Sequence, residues 1–308
     1  MGTGIVIKSV GSRYRVICED GAVFDCTLKG RMRVKDIKTT NPVAVGDNVL
    51  IETDSKNLTG VIVEVLDRKN YILRKSSNLS KQSQIIAANI DQALLMVTIA
   101  FPETLPEFID RYLVTAEAYR IPVVLLINKT DLYSDEEIEK MEYMISVYEK
   151  VGYPCRKLSL KTGDGLNEIK TDIKDKISLL SGNSGVGKSS LINALHPGLN
   201  LKTEEISSYH KQGKHVTTFP EMFKMPFGGF VIDTPGIRGF GVVDMERNEI
   251  YHFFPEIFNI SKQCRFYNCL HLNEPGCAVI QAVEDGLIDI NRYRSYWNII
   301  NDENRKYR

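Results

Sequence analysis

The fold is decided by the stretch Gly182-Asn183-Ser184-Gly185-Val186-Gly187-Lys188-Ser189, which fits the pattern G-x-x-x-x-G-K-[ST] at every fixed position. The apolar run Ile177–Leu180 precedes it, and apolar residues at helical spacing (Leu191, Ile192 and Leu195) follow it. A glycine-rich turn between a strand and a helix lets backbone N–H groups surround phosphates, and the helix N-terminus adds a partial positive charge. The stretch predicts a nucleoside triphosphate site; a glycine-rich turn with a chance Lys-Ser pair is the alternative.

Two side chains of this phosphate loop have predicted roles. Lys188 is expected to reach the β- and γ-phosphates, and the Ser189 hydroxyl is expected to bind Mg²⁺. Ser190 completes the predicted phosphate-binding set. The loop by itself does not identify the base.

A second motif indicates guanine. Residues Asn128-Lys129-Thr130-Asp131 follow the apolar strand Pro122–Leu126, and open α/β sheets bind ligands beyond the carboxyl ends of their strands. The motif resembles the N-K-x-D sequence of translation-factor-type GTPases. The Asp131 carboxylate can accept hydrogen bonds from the N1–H and the exocyclic amine of guanine, a donor pair that adenine lacks. By the same resemblance, Asn128 braces the loop and the base, and the Lys129 stem packs over the ring.

A third motif follows the predicted strand Arg156–Leu160. Residues Ser159-Leu160-Lys161 resemble the S-A-K motif, whose backbone contacts the guanine O6, although Leu160 replaces the usual alanine. A plain exit from a strand into a turn has a similar sequence. Both this motif and N-K-x-D are short, so they indicate a guanine site because they accompany the phosphate loop.

The fourth motif is Asp233-Thr234-Pro235-Gly236, which follows the apolar run Phe230–Ile232 and matches D-x-x-G. Asp233 is expected to hold Mg²⁺ through water, and the Gly236 N–H is expected to contact the γ-phosphate. A threonine between this motif and the phosphate loop would complete the Mg²⁺ shell. The candidates are Thr217 and Thr218, of which we prefer Thr218.

The residue after D-x-x-G bears on hydrolysis. Ras-type GTPases place a glutamine there to orient the attacking water, whereas this chain has Ile237, which cannot form a side-chain hydrogen bond. His215 is the catalytic candidate, because a neutral imidazole can orient or accept a proton from water near pH 7. The alternatives are a solvated loop histidine and a contact with a partner.

Patterns outside the motifs predict three domains. Short β-branched runs separated by turns predict an all-β OB-fold barrel over residues 1–72. Strands alternating with helices predict an α/β, mostly parallel domain over residues 73–241. The remainder, residues 242–308, is expected to be mostly helical around a cysteine and histidine cluster.

Composition excludes some classes of protein. Lys+Arg and Asp+Glu each total 39, so net charge predicts no nucleic-acid partner and any electrostatic argument must be local. The longest apolar runs, such as Ala93–Phe101, are too short to span a bilayer, and the N-terminus has no export signal. The six cysteines are too sparse for a disulfide framework. We therefore expect a cytoplasmic protein with no membrane partner.

The order of the motifs is permuted. A conventional GTPase runs phosphate loop, switch I, D-x-x-G, N-K-x-D and S-A-K, whereas residues 128–131 and 159–161 here precede residues 182–189 and 233–236. Each motif still ends its own predicted strand, so one sheet can hold them all. With this order the chain resembles the ribosome small subunit-dependent GTPase A family, circularly permuted GTPases that act in late small-subunit assembly.

The resemblance implies a function and partners. GTP would be hydrolysed to GDP and phosphate, with stimulation by the small (30S) ribosomal subunit, and the partners would be 16S rRNA and ribosomal proteins. We expect the protein to be a monomer. Two alternatives remain: a permuted GTPase that acts on another RNA, and an RNA-binding module regulated by nucleotide without turnover.

The C-terminal cluster has the spacing Cys264-x₄-Cys269-x-His271-x₅-Cys277, which offers four ligands. Three thiolates and one imidazole suit a closed, tetrahedral, structural Zn²⁺ site. The spacing differs from that of zinc fingers and matches the pattern of the family that the chain resembles. The alternative is a group of reduced cysteines beside a surface histidine.

A basic segment follows the third predicted strand. Lys29, Arg31, Arg33 and Lys35 recur at every second position, which on an extended backbone places all four on one face. Such a face can bind the phosphate backbone of rRNA, and a solvated charged surface has the same pattern. The family resemblance favours RNA.

Overall fold

The N-terminal strands form a small closed barrel. In the computed structural model, which describes residues 1–30, 42–54, 56–75, 83–201, 220–234 and 245–302, the strands are β1 (Gly2–Val10), β2 (Arg13–Cys18), β3 (Val23–Leu28), β4 (Asn48–Asp54) and β5 (Thr59–Val65). β1 pairs with both β2 and β4, and β3 pairs in parallel with β5, which closes the barrel. The apolar side chains that alternate inward, such as Val6, Val16 and Ile62, fill it. The predicted OB-like barrel is confirmed.

A two-stranded hairpin connects the barrel to the centre of the chain. Its strands are β6 (Tyr71–Lys75) and β7 (Ser83–Ala88). A buried ion pair between Arg68 and Asp47, with 2.6 Å between Nε and Oδ1, fastens the start of this connection to the barrel. The sequence did not predict the hairpin, and the domain boundary between residues 72 and 73 stays a prediction.

The central sheet contains β8 (Gln92–Val97), β9 (Val123–Ile127), β10 (Cys155–Lys157), β11 (Ile177–Gly182), β12 (Glu221–Lys224) and β13 (Phe230–Asp233). Its order is β10-β9-β8-β11-β13-β12. Every pairing is parallel except that of β12 with β13. β12 also pairs with β1, at Lys8 and Glu221, so the barrel and the central sheet share one ladder.

Helices cover both faces of this sheet. They are α1 (Pro106–Ala118), α2 (Asp135–Val151), α3 (Leu166–Ile173) and α4 (Lys188–Leu195). One apolar core lies under α1 and α2, and a second lies under α3 and α4. Every residue of β8 is buried, as expected for a parallel strand covered on both faces. The α/β prediction for the centre of the chain is confirmed.

The C-terminal part is helical where the structure describes it. Its helices are α5 (Pro255–Ser261), α6 (Ala278–Glu284) and α7 (Ile290–Asn301). Their shared core includes Phe254, Tyr296 and, from α1, Val114, so this part packs directly on the central domain. Within the described ranges, no helix is both long enough and apolar enough to cross a membrane.

Candidate guanine-nucleotide and metal sites

The four nucleotide motifs meet at one edge of the central sheet. They follow the carboxyl ends of β9, β10, β11 and β13, which are mutually parallel strands. In this register Gly182 lies opposite Met96, and Asp233 lies opposite Leu180. This edge is where open α/β sheets bind ligands. The structure therefore brings together residues 128–131, 159–161, 182–190 and 233, which are widely separated in the sequence.

The phosphate loop needs glycine at two positions for reasons of space and backbone conformation. Gly182 has φ +143°, and a Cβ there would lie 2.3 Å from the Met96 carbonyl oxygen. Gly187, with φ +109°, begins α4, and a Cβ there would lie 2.6 Å from Asn128 Nδ2. Because glycine has no Cβ at these two positions, the loop can pack closely against β8 and against the N-K-x-D segment.

Lys188 and Asp233 form the charged part of the phosphate site. Lys188 Nζ donates hydrogen bonds to the carbonyl oxygens of Gly182 and Asn183, each at 2.7 Å, so the ammonium lies inside the curve of the loop. Burial lowers the pKa of Lys188, and the charge of Asp233 opposes that shift. Burial raises the pKa of Asp233, and Lys188 opposes it in turn. Ser189, which is half-buried, follows in the first turn of α4.

Asn128 and Lys129 attach the N-K-x-D segment to the phosphate loop. Asn128 Nδ2 donates to the Val186 carbonyl oxygen at 2.8 Å. Lys129 Nζ donates to the Gly185 carbonyl oxygen at 2.8 Å and to that of Phe101. Burial lowers the pKa of Lys129. These contacts hold the N-K-x-D segment against the phosphate loop, and the bracing of the base by Asn128 stays a prediction.

Ser159 and Lys161 both approach the Asp131 carboxylate. Ser159 Oγ donates to Asp131 Oδ1 at 2.7 Å, and Lys161 Nζ lies 4.0 Å from Oδ2. The Asp131 side chain is 13% exposed, so it can form charge-assisted hydrogen bonds that water screens only partly. The sequence pattern assigned only a backbone role to S-x-K. The sequence does show that Ser159 has a hydroxyl that can donate a hydrogen bond. It does not show that the acceptor is Asp131, because that residue lies 28 positions earlier in the chain.

Leu160 and Thr130 have packing and turn roles at the same edge. Leu160 packs on the core under α3 and α4, with its Cδ1 beside Gly187. Leu160 therefore extends the apolar core to the phosphate loop, which a smaller alanine at this position would do less fully. Thr130 donates to the Leu158 carbonyl oxygen through its backbone N–H at 3.3 Å and through Oγ1 at 3.2 Å. That contact joins the N-K-x-D segment to the end of β10.

The cysteine and histidine cluster brings four potential metal-ligand atoms close together. The ligand atoms of Cys264, Cys269, His271 and Cys277 all lie within 4.8 Å of one another. Cys264 Sγ and Cys277 Sγ are 3.9 Å apart, and each lies 3.5 Å from His271 Nδ1. Tetrahedral Zn²⁺ with ordinary bond lengths requires edges of about 3.8 Å between sulfurs and about 3.6 Å from sulfur to nitrogen. The residues present fit a structural Zn²⁺ bound through His271 Nδ1.

Several predicted site residues lie outside the described ranges. These are Arg31, Arg33, Lys35, His215, Thr217, Thr218 and Gly236. Of the basic segment, Lys29 is described: its exposed ammonium forms an ion pair with Glu52, with 2.9 Å between Nζ and Oε1. The period-two arrangement of the four cations stays a prediction.

The sheet edge, the phosphate loop and the order of the motifs define the class of protein: a circularly permuted GTPase between an OB-like barrel and a helical region with a Cys₃His cluster. The chain belongs to the RsgA GTPase family, whose model matches residues 65–243, and the model of the RsgA N-terminal domain matches residues 3–62. It is a GTPase by family membership. The expected family resemblance is confirmed.

Relatives and solved structures match along nearly the whole chain. The small ribosomal subunit biogenesis GTPase RsgA of Bacteroides fragilis is 54% identical over 306 residues, covering 99% of this chain and 98% of that protein. The protein of the same name from Flavobacterium psychrophilum is 49% identical and covers 99% and 94%. The crystal structure of YjeQ from Thermotoga maritima superposes with a TM-score of 0.79, at 38% identity and 97% coverage of both chains. That of YloQ, a circularly permuted GTPase, gives 0.76 at 32% identity, with coverage of 98% and 94%.

Proposed function

We propose that this GTPase binds the small ribosomal subunit and assists its late assembly, with GTP hydrolysis stimulated by the subunit. The observation that carries the proposal is the Asp131 site, where Ser159 and Lys161 orient a carboxylate beside a complete phosphate loop. Relatives at about half identity along the full chain are named for small-subunit biogenesis. The substrate is GTP, and the products are GDP and phosphate.

The nucleotide-binding residues have distinct roles in this proposal. Asp131 reads the guanine edge, and Asn128 and Lys129 hold the loop that surrounds the base. Lys188 and the glycine-rich backbone bind the phosphates, and Ser189, with Asp233 through water, holds Mg²⁺. The half-buried Ser189 and the buried carboxylate of Asp233 support this assignment. Mg²⁺ supplies charge neutralisation at the phosphates when it is bound.

In the same proposal, two further segments act in hydrolysis: switch I, which contains Thr217 and Thr218, and switch II, which begins at the D-x-x-G motif. Thr218, or Thr217 in its place, is the remaining Mg²⁺ ligand, and the Gly236 N–H contacts the γ-phosphate. Because Ile237 cannot orient water, His215 takes that role. The binding and release of the subunit follow from ordering of these segments by GTP and their relaxation after hydrolysis.

The flanking parts contribute the contacts with the subunit. We assign the RNA phosphate contacts to Lys29, Arg31, Arg33 and Lys35, and binding through such contacts should weaken as the salt concentration rises. The Zn²⁺ site keeps the loop between α5 and α6 rigid. The domains in this proposal are residues 1–72, 73–241 and 242–308. The protein acts in the cytoplasm as a monomer.

GTP turnover in the presence of purified components tests the proposal. The rate of phosphate release is measured with small subunits, large subunits and tRNA, each at the same concentration. Small subunits alone should raise the rate, by about tenfold or more, because in this proposal the bound subunit favours the hydrolysis-competent arrangement of the nucleotide site. Stimulation by tRNA instead would favour action on another RNA, and no stimulation at all would contradict the proposal.

The role of His215 is tested by the His215→Ala variant. General-base residues contribute about 100-fold or more to rate, so turnover should fall by at least about tenfold while GDP affinity stays at the wild-type value. His252→Ala is the control, because His252 packs against Tyr251 and Phe258, away from the nucleotide edge. Equal turnover in the wild type and His215→Ala would exclude a catalytic role.

A further inference from the structure

Tyr133 lies two residues after the N-K-x-D motif and bonds to its backbone. It is 9% exposed and follows the 3₁₀ turn Thr130–Leu132. Its hydroxyl donates to the Asn128 carbonyl oxygen and accepts from the Ile99 N–H at 2.9 Å. A single oxygen thus joins the segment beyond β8 to the segment beyond β9.

The backbone that Tyr133 holds is conformationally unusual. Lys129 has φ +68°, in the left-handed region that side chains other than glycine seldom occupy. Such a conformation persists where neighbouring contacts fix the peptides around it. The Asn128 carbonyl, immediately before Lys129, is fixed by Tyr133, and the Lys129 carbonyl accepts from Leu132 N at 3.0 Å. The hydroxyl therefore fixes one side of the turn that presents Asp131.

The other partner of the hydroxyl belongs to a loop that also holds Lys129. The Ile99 N–H lies beyond Val97, the last β8 residue paired with β9, so the sheet does not satisfy it. The loop that follows is closed by the hydrogen bond from Thr104 N to the Thr98 carbonyl oxygen at 2.9 Å. Its Phe101 carbonyl accepts from Lys129 Nζ. Tyr133 consequently anchors both the backbone of the motif and the loop on which the Lys129 ammonium rests.

We propose that Tyr133 is a positioning residue for guanine recognition, whose hydroxyl holds the Asn128–Lys129 turn so that Asp131 meets the N1–H and the exocyclic amine of the base. The inference rests on the proposed guanine-reading role of Asp131. Burial raises the pKa of Tyr133 to about 12, so the hydroxyl remains a donor throughout the assay range. The phosphate loop has contacts of its own that do not involve this turn, because Lys188 Nζ donates to the carbonyl oxygens of Gly182 and Asn183.

The test uses Tyr133→Phe in the full chain, which removes one oxygen atom. Tyr153→Phe is the matched control: Tyr153 is also buried in the core under α1 and α2, and its hydroxyl donates to Glu117 Oε1 at 2.9 Å, away from the nucleotide edge. Calorimetry gives the dissociation constants of GDP, of IDP, which lacks the exocyclic amine, and of inorganic tripolyphosphate. Steady-state turnover gives KM and kcat for GTP, and thermal melting gives Tm.

The expected result is weaker binding of the guanine base with unchanged binding of the phosphates. In Tyr133→Phe the Kd for GDP and the KM for GTP should rise about tenfold, because the Asn128 carbonyl and the Ile99 N–H both lose their partner. The preference for GDP over IDP should narrow, and tripolyphosphate should bind as it does to the wild type. KM should rise while kcat stays at the wild-type value, because the γ-phosphate site is unchanged. Tyr153→Phe should retain the wild-type KM, whatever its Tm.

Three other results would overturn the inference. The first is an unchanged Kd for GDP in Tyr133→Phe, with a fall in Tm like that of Tyr153→Phe, which means a structural role only. The second is an equal rise in the Kd for GDP and in the Kd for tripolyphosphate in Tyr133→Phe. The third is an equal loss of GDP affinity in Tyr133→Phe and Tyr153→Phe. Failure of the guanine-reading role of Asp131 is distinguishable from all of these, because the wild type itself would then bind GDP and ADP equally. Failure of the proposed role with the small subunit would instead appear as turnover that small subunits do not stimulate, with the preference for GDP intact.

Discussion

The two oxygens of the Asp131 carboxylate have different neighbours, and this asymmetry explains how the site can be selective. Oδ1 accepts a hydrogen bond from Ser159, while Oδ2 lies near the ammonium of Lys161. A carboxylate can accept several hydrogen bonds, so both oxygens keep capacity for donors from a base. A carboxylate that is held rigidly and lies mostly away from water discriminates strongly against ligands without donors.

Replacement of Asp131 by asparagine should invert part of this selectivity. An amide supplies a donor where the carboxylate supplies an acceptor, so GDP affinity should fall about 100-fold, and xanthosine diphosphate, which has a carbonyl in place of the amine, should bind more tightly than GDP. Competition binding with both nucleotides measures the change. Asp135→Asn, an exposed position in the first turn of α2, is the control. A variant that still prefers GDP would place base recognition elsewhere.

At the residue scale, the sequence predicted the motifs but not the contacts that tie them together. Asn128 reaches Val186 across 58 residues, and Ser159 reaches Asp131 across 28. Such contacts depend on the order of strands in the sheet, which the pattern of one segment does not contain. The sequence shows Tyr133 only as an aromatic residue after a turn. That pattern is equally typical of a core position, so it does not predict the contact with Asn128.

Among the structural elements, the loop between α5 and α6 depends on its metal ligands. The four ligands all precede α6: they are Cys264, Cys269, His271 and Cys277, and Cys277 occupies the N-cap position of this helix. His271 has φ +58°, a backbone conformation that needs support. Tyr293 and Tyr296 of α7 donate to the carbonyl oxygens of His271 and Leu270. Metal binding at this loop is therefore linked to the packing of α7.

The Cys269→Ser variant should lose its bound zinc and part of its stability. The wild type is expected to contain one Zn²⁺ per chain by metal analysis, and the variant close to none, because three ligands do not close a tetrahedral structural site. Its Tm should fall, and a chelator should lower the Tm of the wild type similarly. Cys155→Ser, at a buried thiol whose contact is the Tyr153 carbonyl oxygen, should keep its zinc. Full zinc content in Cys269→Ser would exclude the site.

Elements with a strong period or a clear cap were predictable from the sequence. The α2 helix begins at a capping box formed by Ser134 and Glu137 and ends at Gly152, with φ +108°, and the sequence predicted a helix over Ser134–Val151. The short helix α3 and the hairpin of β6 and β7 were missed. Runs of five to eight residues do not distinguish strand from helix by period alone.

For the whole molecule, Arg292 is the main polar contact between the helical C-terminal part and the central domain. The buried guanidinium donates to Asp110 of α1 at 2.6 Å and to Glu256 of α5 at 2.8 Å. It also lies 4.8 Å above the Phe254 ring. Burial alone would lower the pKa of Arg292, but Asp110 and Glu256 raise it well above its ordinary value. A charged side chain that is almost completely buried therefore joins the two parts of the chain.

The Arg292→Met variant should be strongly destabilised. It leaves the carboxylates of Asp110 and Glu256 buried without their cation, which costs about 3–5 kcal/mol, and the midpoint of urea unfolding should fall accordingly. Lys140→Met is the control, because Lys140 pairs with Glu136 on the exposed face of α2 and its loss should leave the midpoint nearly unchanged. Similar midpoints for the two variants would show that the interface does not depend on this charge.

The pairing of β1 with β12 means that the barrel covers the outer edge of the central sheet. Without the barrel, β12 would be an edge strand with a row of unsatisfied N–H and carbonyl groups, and bare edges of this kind promote pairing between molecules. A central domain expressed alone should therefore aggregate. Removal of the barrel would expose this edge of β12 unless another segment covered it.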